Sequence, residues 1–283
     1  CLMKISFVGI GLMNGSLSLD VQRLFPEAVL EGISRKESTL DRALELGLIH
    51  QKGSLDKLDN SDWVFVSIPV AAIASLLPQI LDNIGANTVV MDFGSTKAAI
   101  CEAVKNHPKR NQFLAAHPIA GTEFSGPDAA IPNLYEGKTI MLCEVAQTRP
   151  DVLERAENLL KKLNMVVRHM DPIAHDRHIA YVSHLSHITS FMLGKTVLEK
   201  ETDEQNIFDM AGSGFASTVR LAKSSPEMWM PIFMQNKHNV LETLNEYISN
   251  LNAFKEKLEA DAVEELLLEM KNINKIGTIL DRK

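Results

Sequence analysis

Lys4-Ile5-Ser6-Phe7-Val8-Gly9-Ile10-Gly11-Leu12-Met13-Asn14-Gly15 is a short apolar strand that runs directly into G-x-G-x-x-G. Each glycine of that pattern has a physical task. The first permits a tight turn, the second lets the backbone approach a pyrophosphate, and the third lets the following helix pack closely on the strand. A helix that starts here points its free N–H groups at the phosphates. Alone the pattern is weak, but between a strand and a helix it predicts a dinucleotide site with Gly9, Gly11, Leu12 and Gly15 at the cofactor.

Working outward, short β-rich apolar runs recur at residues 5–8, 28–33, 63–68, 88–93, 113–116, 139–142 and 166–169. Helical stretches lie between them at 15–25, 38–46, 70–83, 97–106 and 150–163. Strands that are apolar throughout and separated by helices predict a parallel sheet covered on both faces. Asp171-Pro172 then marks a boundary, because proline suits the first turn of a helix. Beyond it no strand-like alternation occurs. Helical stretches are expected at 173–200, 227–254 and 260–273, the last Glu-rich at its front and bearing Lys271 near its end. The expected fold is an α/β Rossmann-type parallel-sheet domain over 1–170, followed by an all-α helical domain over 171–283 for substrate binding and dimerisation.

The 283 residues are 45% hydrophobic and 23% charged, which excludes disorder of the whole chain. The net charge of −7 argues against a dedicated nucleic-acid binder, since a phosphate backbone attracts concentrated positive charge. Cys1, Cys101 and Cys143 are far apart and form no C-x-x-C, so neither a disulfide framework nor a thiolate metal site is expected. No apolar run reaches the roughly 18 residues of a membrane span, and no signal-peptide pattern precedes the first strand. A cytoplasmic protein is expected.

The dinucleotide's ribose is read at the end of the second strand, where an Asp or Glu would bind the 2′-hydroxyl of NAD. Here the chain reads Gly32-Ile33-Ser34-Arg35-Lys36. A hydroxyl followed by two cations favours the 2′-phosphate of NADP, although NAD stays open and Arg35 and Lys36 also suit a solvated loop. Glu31 is close by, with its direction undetermined.

Four further segments bear chemistry. Asp92-Phe93-Gly94-Ser95-Thr96-Lys97 lies where a strand meets a helix, and Ser95 is either a helix cap or a site residue. Ala116-His117-Pro118-Ile119-Ala120-Gly121-Thr122-Glu123 places His117 at the same sheet edge, as a general-base candidate. His175, His178, His184 and His187 share one helical stretch, but no carboxylate or cysteine completes a metal site. The polar run Ser183-His184-Leu185-Ser186-His187 interrupts apolar sequence, and a polar ligand would satisfy it. Gly212-Ser213-Gly214-Phe215-Ala216-Ser217-Thr218-Val219-Arg220 breaks the chain before a helix, with Arg220 either a carboxylate clamp or a surface ion pair.

Taken together these segments resemble the prephenate/arogenate dehydrogenase (TyrA) family, in order and spacing across about residues 4 to 235. The resemblance implies oxidative decarboxylation of a cyclohexadienyl substrate, prephenate or arogenate, in tyrosine biosynthesis, with hydride transfer to NAD or NADP. It implies that His117 accepts a hydrogen bond from the substrate 4-hydroxyl and that Ser95 helps to hold that geometry. Arg220 would clamp a carboxylate, with His175, Ser183, His187 and Glu123 shaping the pocket. Two departures bear on recognition. Gly212-Ser213-Gly214-Phe215 stands where relatives have Gly-Gly-Gly-Phe, and Ala216-Ser217 where they have Arg-Asp or Lys-Asp. The chorismate mutase and ACT domains carried by some relatives are not expected. A homodimer is. The alternatives are a 3-hydroxyacid dehydrogenase, which would leave the His-Pro-Ile-Ala-Gly segment without a purpose, and a redox sensor that binds a dinucleotide without turnover.

Overall fold

The computed structural model describes residues 2–204 and 206–281. Up to Lys237 the chain forms one compact unit, and from His238 onward a second.

The first unit is built on an eight-stranded sheet. Its strands are β1 (Lys4–Val8), β2 (Val29–Ile33), β3 (Gln51–Lys52), β4 (Trp63–Val66), β5 (Val89–Asp92), β6 (Phe113–Pro118), β7 (Thr139–Cys143) and β8 (Val166–Met170), in the order β3-β2-β1-β4-β5-β6-β7-β8. All neighbours are parallel except β6 and β7, which pair antiparallel with His117 opposite Met141. That departs from the expected all-parallel sheet. The link from β6 to β7 holds only a 3₁₀ turn (Pro127–Ala129), and without a crossover helix the chain returns in the opposite sense. The two-residue β3 was also not expected, being too short to show a period.

Alternation along each strand serves both faces of the sheet. Ile5, Phe7, Phe65 and Met91 point into one core, while Val8, Val64, Val66 and Val90 point into the other. Helices α1 (Leu12–Leu24), α2 (Glu37–Glu45) and α5 (Pro150–Lys162) bring Leu17, Leu40 and Leu159 to the first core. Helices α3 (Val70–Asn83) and α4 (Ala98–Val104) bring Ile73, Leu77 and Ile100 to the second.

Helices α6 (Pro172–Ile179) and α7 (Leu185–Glu204) are joined by a π-helical turn over Ala180–His184, where one uninterrupted helix was expected. A single wide turn of this kind rotates everything downstream of it. Helix α8 (Ser213–Thr218) and α9 (Pro226–Gln235) follow, and Trp229 and Ile232 of α9 join the core that covers α3. The helix expected over 227–254 is broken at Asn236. Its side chain donates to the Asp176 carbonyl at 2.6 Å instead of facing solvent.

The second unit holds α10 (Lys237–Glu259), α11 (Val263–Ile273) and α12 (Lys275–Leu280). Asp261 turns the chain between α10 and α11 with φ 51°, and a Lys257–Glu269 ion pair at 2.5 Å ties those two helices together. Leu251, Leu258, Leu267, Leu268 and Ile279 on this unit are exposed. Among the described residues no helix is long and apolar enough to cross a membrane.

Candidate active site

A cavity of about 760 Å³ opens at the carboxyl ends of β1, β4, β5 and β6. In an open α/β sheet this is where ligands bind, at the point where strand order reverses between β1 and β4. Its size suits a small-molecule site.

The glycine loop forms one end. Gly9 takes φ +81°, and a Cβ there would collide with the Ser67 carbonyl, so the turn tolerates no side chain. Gly11 and Leu12 line the cavity. A Cβ on Gly11 would meet nothing nearer than 3.9 Å, so the glycine leaves room for a ligand to approach the backbone. Helix α1 begins at Leu12, three residues before the expected start, and no side chain caps its first N–H groups. Gly15 packs against Ala130 Cβ and Leu48 Cδ1 instead of the strand. Asn14 has a role that the motif alone did not reveal. It is fully buried and donates to the carbonyls of Gly9 at 2.7 Å and Phe65 at 3.1 Å, which braces the loop against β4. An open cradle, free helix N–H groups and a braced turn together fit a dinucleotide.

At the end of β2, the Ser34 hydroxyl accepts from the Lys36 N–H at 3.2 Å, and Lys36 lines the cavity. Arg35 is exposed and makes no ion pair among the described residues. Glu31 lies elsewhere. It is 4% exposed, pairs with Lys4 at 3.1 Å, and accepts from Ser6 and Gln51. No carboxylate therefore stands at the usual ribose position.

The centre of the cavity is formed by the ends of β5 and β6, where Ser95 and His117 line the wall. Ser95 caps nothing. The N-terminus of α4 is capped from a distance by Asp176, which accepts from Lys97 N at 2.7 Å and Ala98 N at 2.9 Å. The Lys97 ammonium is completely buried, ion-paired with Asp92, and donates to the Ala116 carbonyl at 2.7 Å. The Asp92 carboxylate also accepts from Gly94 N at 2.8 Å and Ala116 N at 3.2 Å, so the pair clamps the strand ends beside His117. Burial, reinforced by His175, Lys97 and His184, holds the His117 imidazole well below the ordinary histidine range. At neutral pH it is an uncharged acceptor.

The helices supply the opposite wall. The π-helical turn brings Ser183 and His187 to the cavity. His187 Nδ1 donates to the Ser183 carbonyl at 2.9 Å, and its ring stacks on Trp229 with centroids 3.5 Å apart. Burial, against a bond to that carbonyl and alongside Arg220, lowers its pKa. The buried Nε1–H of Trp229 and the buried Nε2 of His184 have no partner among the described residues. Burial drives the His184 pKa down to about 4. Arg220 and Glu123 face each other at 3.6 Å across the cavity mouth, with Arg220 54% exposed.

Of the expected cofactor residues, Gly9, Gly15, Ser34 and Arg35 do not line the cavity, and His175 is the exception among the expected catalytic and substrate-binding residues. It does not line the cavity but lies behind His117, with Nε2 2.9 Å from His117 Nδ1. His178 is exposed on another face of α6, so the four histidines do not converge. Among the described residues no three metal-ligating side chains cluster.

Two family models match the chain. One describes a prephenate dehydrogenase nucleotide-binding domain over residues 17–169, the other a prephenate dehydrogenase dimerization domain over 171–272. The prephenate dehydrogenase of Bacillus subtilis is 29% identical over 93% of this chain and 72% of its own. A crystal structure of prephenate dehydrogenase from Aquifex aeolicus, in complex with hydroxyphenyl propionate and NAD+, superposes with a TM-score of 0.90 at 30% identity, over 99% of both chains. The Synechocystis arogenate dehydrogenase structure gives 0.78 at 29% identity, over 98% of this chain and 100% of its own.

Proposed function

Because the chain belongs to the prephenate dehydrogenase family, we propose that its cavity oxidises a cyclohexadienyl substrate, prephenate or arogenate, with loss of CO₂, as a step of tyrosine biosynthesis. One observation carries this reading. A neutral histidine, His117, sits at the sheet edge in the same cavity as the glycine loop, with one ring nitrogen held from behind. When bound, the nicotinamide accepts a hydride from the ring carbon that bears the 4-hydroxyl. His117 accepts a hydrogen bond from that hydroxyl and stabilises the positive charge that grows on it. Ser95, beside it on the same wall, holds the hydroxyl in line. Arg220 takes a substrate carboxylate in exchange for its loose pairing with Glu123, a contact too exposed to be worth more than about 1 kcal/mol. Ser183 and His187 complete the polar lining, and the unpartnered Nε1–H of Trp229 offers one more donor.

The cofactor is held by the Gly11–Leu12 backbone at the head of α1, with the loop conformation set by Gly9 and Gly15. NADP is preferred over NAD, because Ser34, Arg35 and Lys36 stand where a carboxylate would repel a 2′-phosphate and Glu31 is occupied by Lys4. Functionally, 1–170 carries the dinucleotide, and 171–283 supplies the substrate wall and pairs two copies of the chain through the exposed apolar residues of the last three helices. Light scattering in solution should return the mass of a dimer. A cytoplasmic setting accords with Cys101 and Cys143, both buried as free thiols. The decisive assay follows reduced-nicotinamide absorbance with prephenate or arogenate, each with NAD or NADP. Turnover is expected in at least one combination and best with NADP; no turnover in any of the four defeats the reading.

A further inference from the structure

Behind His117 lies a line of buried polar groups that ends on a helix N-terminus. His117 Nδ1 is 2.9 Å from His175 Nε2, the two rings meeting nearly edge to face at 69°. His175 Nδ1 is 2.8 Å from Asp176 Oδ1. The Asp176 carboxylate also accepts the backbone N–H groups of Lys97 and Ala98, which anchors it to the first turn of α4. His175 is 2% exposed and Asp176 5%, so neither exchanges partners with solvent.

The hydrogens can be assigned from the partners. Asp176 already accepts two backbone N–H groups, so the hydrogen it shares with His175 sits on His175 Nδ1. That leaves a lone pair on His175 Nε2, and the hydrogen between the rings belongs to His117 Nδ1. His117 Nε2 is then the lone-pair nitrogen left for the cavity. We propose that Asp176 and His175 are positioning residues that fix His117 in this tautomer and stabilise the positive charge that grows on it, the Asp176 carboxylate being anchored at α4. The proposal rests on the role given to His117 above and adds the groups that make it competent. As the hydride leaves the substrate, the hydroxyl proton shifts toward His117 Nε2. It returns to the product's phenolic oxygen once the ring carboxylate has departed as CO₂ and its bonding electrons have entered the ring. Throughout, His117 Nδ1 keeps its hydrogen and shares it more strongly with His175. A histidine held in the wrong tautomer would present an N–H to the hydroxyl and lose this function. The charged and titratable groups facing His117 are Lys97, His175 and His184. Lys97, His184 and any second proton on His175 oppose its protonation, whereas the lone pair on His175 Nε2, backed by Asp176, favours it.

The test compares His175→Leu, which fills similar space with no acceptor, with His175→Gln, whose side-chain oxygen can still accept from His117 Nδ1. His175→Leu should lower kcat about 100-fold. Substrate KM and cofactor affinity should stay within about two-fold, and the acid limb of kcat should move to lower pH because protonated His117 has lost its acceptor. His175→Gln should recover much of kcat. Nitrogen NMR of labelled histidine in the wild-type protein should find His117 protonated on Nδ1 and bare on Nε2, a readout independent of turnover and of any variant's folding. A His175→Leu enzyme with near-normal kcat, an unmoved acid limb, or a wild-type His117 protonated on Nε2 would overturn the proposal. Wild-type protein that turns over neither prephenate nor arogenate would instead defeat the functional reading, while the tautomer result would still stand on its own.

Discussion

The two walls of the cavity are held in opposite ways. On the strand-end wall nearly every polar group is satisfied by protein: Asp92 by Lys97 and two backbone N–H groups, Lys97 by Asp92 and Ala116, and the N-terminus of α4 by Asp176. On the helical wall, Arg220 is half exposed with one loose partner, while His184 Nε2 and Trp229 Nε1 are buried with none. Each such orphan costs about 1–3 kcal/mol until something hydrogen-bonds to it. The lesson is a division of labour. On the proposed roles, the wall that does chemistry is organised in advance, and the wall that recognises substrate keeps unspent polar capacity for it.

That contrast can be broken most sharply at the strand-end wall. His117→Asn should lower kcat by about 10²–10⁴ with cofactor affinity unchanged, as measured by steady-state kinetics and cofactor titration. If the organised wall mattered only for binding, KM would rise instead.

The helical wall should reveal itself through pH. Folded His184 takes no proton until pH about 4, whereas in the unfolded chain it titrates near 6.5. Unfolding therefore takes up a proton throughout that window, and stability falls as pH falls, by about 3 kcal/mol when complete. His117, with its pKa also depressed by burial, adds to the loss in the same direction. Urea midpoints between pH 7 and 4.5 should drop in the wild-type protein and drop less steeply in His184→Gln.

Arg220→Gln should raise the substrate KM by about 10–100-fold, the worth of a charge-assisted hydrogen bond, while kcat changes far less. An unchanged KM would place the carboxylate elsewhere and remove the recognition role from this wall. The smallest expected effect lies at the rim. Ser34→Asp should shift the NADP:NAD preference about tenfold toward NAD, close to 1.4 kcal/mol. No shift would mean that the end of β2 does not read the ribose.

The same contrast explains what was legible in the sequence. Gly11, Leu12, Ser95 and His117 lie at or just beyond strand ends, so local spacing places them in the cavity. The strands themselves were readable from apolar runs, apart from the reversal at β7 and the two-residue β3. His175 was expected at the cavity and lies one layer back. Its direction depends on Asp176, whose partners Lys97 and Ala98 are 79 and 78 residues away in sequence. The break at Asn236 likewise depends on the Asp176 carbonyl, 60 residues distant. The π-helical turn has no periodic signature, and without it the positions of Ser183, His184 and His187 relative to His175 do not follow. Asn14 stood in plain view inside the glycine motif, but its contacts to Gly9 and Phe65 exist only once β4 lies beside β1.

The central claim is that His117, held by an organised wall, couples hydride removal to loss of the ring carboxylate. Measuring CO₂ release and cofactor reduction in the same reaction, for wild type and His117→Asn, tests it most directly. The account predicts equal amounts of both products from the wild-type enzyme and rates for both that fall together in the variant, by about 10²–10⁴. Cofactor reduction without CO₂, or a His117→Asn enzyme that keeps its rate, would contradict it.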